Sequence, residues 1–419
     1  IRDRDDNREE NRTLHLMSEE DALSKVQKYL HRQGIDRLSP IARKVEREGT
    51  PNRRNVVLVF MESMSANLMG TFGSDKKLTP YLDSLYQQSL SFSHFYSSGI
   101  HTNHGIYSTL YSFPAIMKRN AMKGSVIPVY SGLPTVLQEN GYCNLFFMTH
   151  ESQYDNMNAF LRTNGFDEIY AQENYPSEKV VNSFGVQDDF MYQYALPILN
   201  ERAGTGNPFF SVLLSISNHP PYVIPPYFHP HSDVLEEQIV EYADWSIRQF
   251  MQAAEKQPWF DNTIFVFLGD HGKMVGTPEC EMPQSYNHIP LMIYGKDIKP
   301  GVYDGFGGQV DVSPTLLGLL NISYLQNNFG VNLLEEERPC MFFTADNLIG
   351  ARDSVNMFIY SPDSQQEFKY KLEEGKLHAA TGTDEEAFRN LKDYCFSMLQ
   401  STESLVKEHK TLDKVSVKK

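Results

Sequence analysis

Long apolar runs are missing from this 419-residue chain. No stretch approaches the ~18 consecutive apolar residues of a membrane-spanning helix, so no span is expected within it. The opening "IRDRDDNREENR" is charged from its second residue, so no signal peptide is expected within it. An initial methionine is also missing, so an upstream segment is expected to have been removed. Cysteine is scarce: Cys143, Cys280, Cys340 and Cys395 are far apart and form no C-x-x-C pair. Neither a zinc knuckle nor a disulfide framework can be read from them, and they leave the redox compartment open. Positive charge is in deficit, with 38 Lys and Arg against 53 Asp and Glu, for a formal net charge of −15. A protein that neutralises nucleic-acid phosphates needs the opposite excess, so no nucleic-acid partner is expected. A small anionic substrate stays open if charge reverses locally.

What is present describes a globular protein, 41% hydrophobic and 12% aromatic. Residues 1–50 are polar, with a helical pattern over 21–33, and read as a stalk or packed arm. The texture then changes. "NVVLVF" (55–60), "CNLFFMT" (143–149), "FFSVLLSIS" (209–217) and "TIFVFLGD" (263–270) are short runs, apolar on both faces, as central parallel strands must be when helices cover both sides. Helical patterns separate them over 79–88, 103–112, 133–140, 188–202 and 235–256. This alternation predicts an α/β fold, a mostly parallel sheet covered by helices on both faces. Further strands are expected at "PLMIYG" (290–295), "CMFFTA" (340–345) and "MFIYS" (357–361), with a helix at "SPTLLGLL" between the first two and a last helix over 384–400. The expected organisation is an arm (1–50), a catalytic domain (51–335), a smaller C-terminal subdomain on the same fold (336–400) and a loose, Lys-rich tail (401–419).

In an open α/β sheet, ligands bind outside the carboxyl ends of the strands. The four best strands end in "MESMS", "THES", "SNHPP" and "GDHG", which brings Glu62, His150, His219 and the pair Asp270–His271 to one edge. Each has an ordinary explanation: Glu62 as a helix cap, either histidine as a satisfied structural group, "DHG" as a turn. Their joint arrival from four elements points instead to metal-assisted chemistry. Carboxylates and imidazole suit Zn²⁺ or Mn²⁺, and Glu62, Asp270 and His271 supply three ligands. Thr102, at the start of a helix in "SSGIHTNHGIYSTL", can supply the fourth; a metal turns a coordinated hydroxyl into a nucleophile, and the helix start offers N–H groups to a phosphate.

Taken in order, "NVVLVFMES", "LTPYLDSLYQQSLSFSHFYSSG", "SNHPPY", "FLGDHG", "HIPLMIYG" and "GQVDVSPTLLGLL" resemble the alkaline phosphatase and sulfatase superfamily. Within it they resemble the lipoteichoic acid synthase branch and its phosphoglycerol and phosphoethanolamine transferase relatives. The resemblance implies one divalent metal, Mn²⁺ or Zn²⁺ with Mg²⁺ as a further candidate, held by Glu62, Thr102, Asp270 and His271. It implies that His219 contacts the phosphate or the leaving group. The implied reaction is ping-pong transfer through phospho-Thr102, from a phospholipid donor head group to a glycan or lipid acceptor. Such enzymes carry membrane spans ahead of an extracytoplasmic catalytic domain, so a cell-membrane location is expected through segments absent from this chain.

Departures from related patterns separate the branches. The C/S-x-P-x-R motif of sulfatases is absent around Thr102, which disfavours sulfate ester hydrolysis. His101 stands where the lipoteichoic branch often has Lys, and after His150 the Trp and Arg of the glycerol-phosphate pocket are replaced by Met157 and Ala159, with Arg162 a turn away. His101, His104, His150, Arg162, His219 and His288 are therefore the expected substrate contacts. A phosphodiesterase, phosphatase or sulfatase on the same fold is the alternative enzyme, and a non-catalytic glycan- or lipid-binding relative is the alternative from another class.

Overall fold

The computed structural model describes residues 14–382 and 385–414. Its centre is an eight-stranded sheet. In chain order the strands are β1 (Asn55–Met61), β2 (Leu90–Tyr96), β3 (Cys143–Met148), β4 (Glu168–Tyr170), β5 (Phe209–Leu214), β6 (Thr263–Gly269), β7 (Leu291–Tyr294) and β8 (Gly301–Gly308). Their spatial order is β8-β2-β7-β6-β1-β5-β3-β4, and every pairing is parallel except the two made by β7. A mostly parallel sheet is therefore correct.

The central strands β1, β5 and β6 are buried along their whole length. Alternate residues of β1 serve opposite faces. Val56, Leu58 and Phe60 pack with Ile106, Leu110, Leu133 and Leu316 of helices α3 (Thr102–Tyr111), α4 (Leu133–Glu139) and α8 (Val312–Leu319). Val57, Val59 and Met61 pack with Leu82, Met191, Ile239 and Phe250 of α2 (Pro80–Gln88), α6 (Asp188–Ala203) and α7 (Leu235–Ala254). Full burial of a side chain of this size contributes about 1.5–3 kcal/mol, so both faces are strongly fixed. A further helix, α5 (Met157–Thr163), follows β3.

Residues beyond the central sheet form a five-stranded antiparallel sheet: β9 (Met341–Thr344), β10 (Ile349–Arg352), β11 (Asn356–Ser361), β12 (Gln366–Glu373) and β13 (Lys376–Ala379). The expected last helix is longer than its pattern suggested. As α9 it runs Glu385–Lys407, burying Phe388, Leu391, Cys395 and Leu405. The tail is correspondingly not loose where it is described: the Thr411 hydroxyl donates to the Val129 carbonyl (2.7 Å) and Asp413 bonds Ser131. The arm packs too. Helix α1 (Glu19–Tyr29) buries Ala22 and Val26 and lies on α9, with Lys25 paired to Asp393 at 2.6 Å. Residues 1–13 and 415–419 lie outside the described residues. All four cysteines are free.

Candidate active site

Register alone brings two carboxylates together. Parallel pairing sets Met61 opposite Gly269, so the next residues, Glu62 and Asp270, leave adjacent strands side by side. Ser63 follows with φ +50°, a tight left-handed turn that lets its hydroxyl donate to Glu62 Oε1 (2.7 Å) and its N–H to Asp270 Oδ1 (2.9 Å). The Ser215 hydroxyl, just past β5, accepts the Glu62 N–H at 3.0 Å. Both carboxylate side chains are fully buried. Burial, and then the neighbouring Asp270, push the Glu62 carboxyl well above its usual range.

His271 completes the cluster. Its Nδ1 faces the Gly272 carbonyl at 2.8 Å, and a carbonyl can only accept, so Nδ1 carries the proton. Nε2 is then the bare nitrogen, 3.6 Å from Glu62 Oε1 and 3.5 Å from Asp270 Oδ2. The three donor atoms lie within 4.8 Å of one another, and the buried Asp270 Oδ2 has no hydrogen-bond partner. Two buried carboxylates, an unpartnered oxygen and an imidazole lone pair fit a divalent cation with oxygen and nitrogen ligands.

Thr102 reaches this cluster from β2, a strand the apolar-run reading missed. "LSFSHFY" alternates only over its first four residues, and its half-covered positions, Leu90, Ser93 and His94, fall on both faces. From its end, Ser97–His101 turn into α3, whose first residue is Thr102. The Thr102 hydroxyl donates to Glu62 Oε2 at 3.4 Å. Residues 103–111 of α3 are all buried, and the helix passes so close to β6 that a Cβ on Gly105 would lie 2.2 Å from the Asp270 carbonyl oxygen. A backbone atom cannot step aside cheaply. Gly105→Ala is therefore expected to fold with a loss of about 1–3 kcal/mol and to displace Asp270, which a weakened affinity in a Mn²⁺ titration would reveal.

The Ser97–His101 loop before Thr102 is anchored twice more. Gln309, before α8, donates to the Asp270 carbonyl (2.7 Å) and accepts from the Ser98 N–H (2.9 Å), tying the end of β6 to the loop. From the second sheet, the Thr344 N–H donates to the Ser98 carbonyl (2.8 Å), and Asp346 lies 2.6 Å from His101 Nε2. That pairing raises the His101 pKa and lowers that of Asp346.

Across the site, His219 Nδ1 meets the Pro220 carbonyl (2.6 Å) and His150 Nδ1 meets that of Glu151 (2.9 Å), so each leaves Nε2 unengaged by these contacts. His150 is buried, which lowers its pKa, and is close enough to His219 to feel its charge. Phe184 stands 4.2 Å from the His219 ring and Tyr154 4.8 Å from that of His150. Asp188, pushed up to about 6 by burial, accepts the Ile216 and Ser217 N–H groups and so sets the "SNH" loop.

Three expected contacts are otherwise engaged. Arg162 bonds Asn158 (2.9 Å) and reaches the carbonyl of Asp167, immediately before β4. That is the amino edge of a parallel strand, opposite the site, and it corrects the expected role of Arg162. His104 is 1% exposed, and burial lowers its pKa to about 3, so it is a neutral group inside the protein rather than a charged phosphate contact. His288 does reach the site's edge, because β7 runs backwards, but its Nε2 faces the Ser93 carbonyl (2.9 Å) and its ring stacks on Tyr96. It lines a separate cleft of about 480 Å³ with Phe72, Gln284 and His378.

Lys273, Asn218, Ser63 and Gln309 were not anticipated. Lys273 stands three residues past Asp270 in "GDHGK", a signal that was available. Burial lowers its pKa to about 8.

The sulfatase family profile matches residues 54–322. Lipoteichoic acid synthase-like YvgJ of Bacillus subtilis is 25% identical over 69% of this chain and 51% of its own. The lipoteichoic acid synthase of Staphylococcus aureus is 24% identical over 84% of this chain and 58% of its own. The chain thus spans about half the length of the curated relatives it matches. A protein of the alkaline phosphatase superfamily from Vibrio parahaemolyticus superposes with a TM-score of 0.85 at 25% identity, covering 94% of this chain and 97% of that one. For the lipoteichoic acid synthase LtaP of Listeria monocytogenes the TM-score is 0.73 at 22% identity, covering 92% and 98%.

Proposed function

The chain belongs to the sulfatase family, and from that premise we propose that it is a phosphotransferase. It moves phosphoglycerol or a similar head group from a phospholipid to a hydroxyl of a glycan or lipid, by way of a phosphothreonine at Thr102. The observation that carries this is the position of Thr102, first residue of α3 and 3.4 Å from a buried Glu62 that shares its pocket with Asp270 and His271. The names of the curated relatives, lipoteichoic acid synthases, support the transfer reading. A site working on lipid head groups belongs at a membrane surface outside the cytoplasm, and no described helix is long and apolar enough to cross a membrane.

Glu62, Asp270, His271 and Thr102 would hold one divalent ion, Mn²⁺ or Zn²⁺, with Mg²⁺ as a further candidate. When bound, that ion supplies the positive charge that favours an ionised Thr102 oxygen and offsets charge on the phosphoryl group. The Thr102 oxygen, its proton lost to solvent, bonds to phosphorus as the bond from phosphorus to the lipid oxygen breaks. Protonated His219 gives its Nε2 proton to that departing oxygen. An acceptor hydroxyl then bonds to phosphorus, the Thr102 oxygen leaves, and His219 takes the acceptor's proton. The unpaired N–H groups at the start of α3 face the anion through both halves.

The test is intact-mass analysis after incubation with Mn²⁺ and phosphatidylglycerol vesicles, with phosphatidylethanolamine vesicles in parallel. A gain of one phosphoglycerol or one phosphoethanolamine group names the donor. Hydrolysis of a chromogenic diester with no adduct from either lipid, and no product on added glycan or lipid acceptors, would replace transfer by hydrolysis.

A further inference from the structure

The cluster is rich in negative charge. The side chains of Glu62 and Asp270 are fully buried next to each other, and a divalent ion held by both carboxylates is used up in balancing them. The proposed reaction then adds two further charges to the same enclosed space, an ionised Thr102 oxygen and the anionic phosphodiester. A second cation is needed on the open side of the site, and this chain has one there.

Lys273 follows the metal ligands at the end of β6. Its backbone N–H donates to Ser65 Oγ (2.8 Å), which in turn donates to the Ser285 and Lys273 carbonyls, so the turn is held rigidly. Its ammonium donates to Asn218 Oδ1 at 2.6 Å and sits 5.5 Å from the centre of the Tyr222 ring. Asn218 is the middle residue of the "SNH" motif, immediately before His219, and its amide donates to the Ser63 carbonyl next to Glu62 (3.2 Å). The ammonium thus lies beside the "SNH" loop that carries His219, and it feels the fields of Glu236 and, less strongly, of Glu62. Among the described residues no carboxylate is within ion-pair distance of it. A lysine that is largely buried, holds one neutral hydrogen bond and has its nearby carboxylates beyond ion-pair distance is arranged to receive an anion.

We propose that Lys273 binds a non-bridging oxygen of the transferred phosphoryl group, acting with Asn218 as a second anion contact on the side of the site bounded by His219 and Tyr222. This rests on the phosphotransfer reading above. It also specifies the substrate class: the group received is a phosphate anion, and a neutral head group alone leaves the ammonium unmatched.

The probe is inorganic phosphate, titrated calorimetrically into Mn²⁺-loaded protein. Lys273→Met is expected to weaken phosphate binding about 10–100-fold, the range for a hydrogen bond to a charged group, while Mn²⁺ affinity stays within about threefold of wild type. Lys273→Arg is expected to recover most of the loss, because the charge is kept. Asn218→Ala is expected to lose less than Lys273→Met. Unchanged phosphate affinity in Lys273→Met overturns the assignment. So does an equal loss in Asn218→Ala with no recovery in Lys273→Arg, since Lys273 would then act only by holding the "SNH" loop. If the wild-type protein forms the Thr102 adduct but either of these results is found, only the role of Lys273 falls. If wild type binds neither Mn²⁺ nor phosphate, the phosphotransfer reading fails and takes this proposal with it.

Discussion

Thr102→Ala is expected to reduce turnover of a chromogenic phosphodiester by about 10³-fold or more and to abolish any mass gain on incubation with phospholipid. The size of the effect follows from what is left behind. Glu62, Asp270 and His271 still hold the metal, so substrate still binds, but no oxygen stands at the head of α3 to form the first bond. Mn²⁺ affinity should consequently fall by less than about tenfold, since three of the four ligands remain. Thr102→Ser keeps the oxygen and should keep the adduct. The decisive comparison is between metal binding and turnover in Thr102→Ala. If turnover stays within tenfold of wild type while metal is bound, the nucleophile is not Thr102. If both are lost together, Thr102 holds the site's structure and its chemical role is unproven by this variant, which is why the serine variant is measured beside it.

The second large effect concerns Glu62, and it has two signs. Glu62→Gln should weaken Mn²⁺ or Zn²⁺ binding at least about 100-fold, because a ligand is lost from the first coordination shell and its support from Ser63 with it. The same change should stabilise the metal-free protein. The folded state holds the Glu62 proton more tightly than the unfolded chain does, since burial and Asp270 raise its pKa. Folded protein then binds more protons than unfolded, so metal-free stability falls as pH rises above the ordinary carboxylate range. Each pH unit spent there costs about 1.4 kcal/mol. A metal ion replaces that proton, so the gain in Tm on adding Mn²⁺ should be larger at pH 8 than at pH 5.5. In Glu62→Gln the metal-free pH slope should flatten. Thermal unfolding at the two pH values, with and without metal, measures all of this, and an equal Mn²⁺ effect at both would refute the coupling.

The ends of the central strands were legible because they are simple. "NVVLVF" and "TIFVFLGD" are apolar on both faces, and a strand buried on both faces must have its polar residues at its ends, where Glu62 and Asp270 stand. The side-by-side placement of the two is a matter of register, which no local pattern records. Residues that serve the site from edge strands were harder to see. β2 interrupts its apolar run with Ser91, Ser93 and His94 and so hid the route by which Thr102 arrives, although Thr102 itself stood out by its neighbours. The reversal of β7 is a long-range pairing with no mark in "PLMIYG", and it moved His288 to an edge that its place before the strand had seemed to forbid. His104 and Arg162 misled for opposite reasons. One is carried inward by a helix buried all round, the other outward to the amino edge by the helix after β3. Histidine and arginine attract attention in a sequence whatever direction the backbone gives them.

The bonds from Thr344 to Ser98 and from Asp346 to His101 set a schedule. The loop that presents Thr102 lies in the first quarter of the chain, yet two of its anchors are made some 245 residues later. Such distant contacts form late, after the loop-closure entropy between them has been overcome. A nascent or proteolysed chain ending near residue 335 would own every metal ligand and the threonine, but its nucleophile would hang on one fewer wall. The proposed transfer is therefore expected to wait for the C-terminal sheet to dock, because only then is the loop before Thr102 held from both sides.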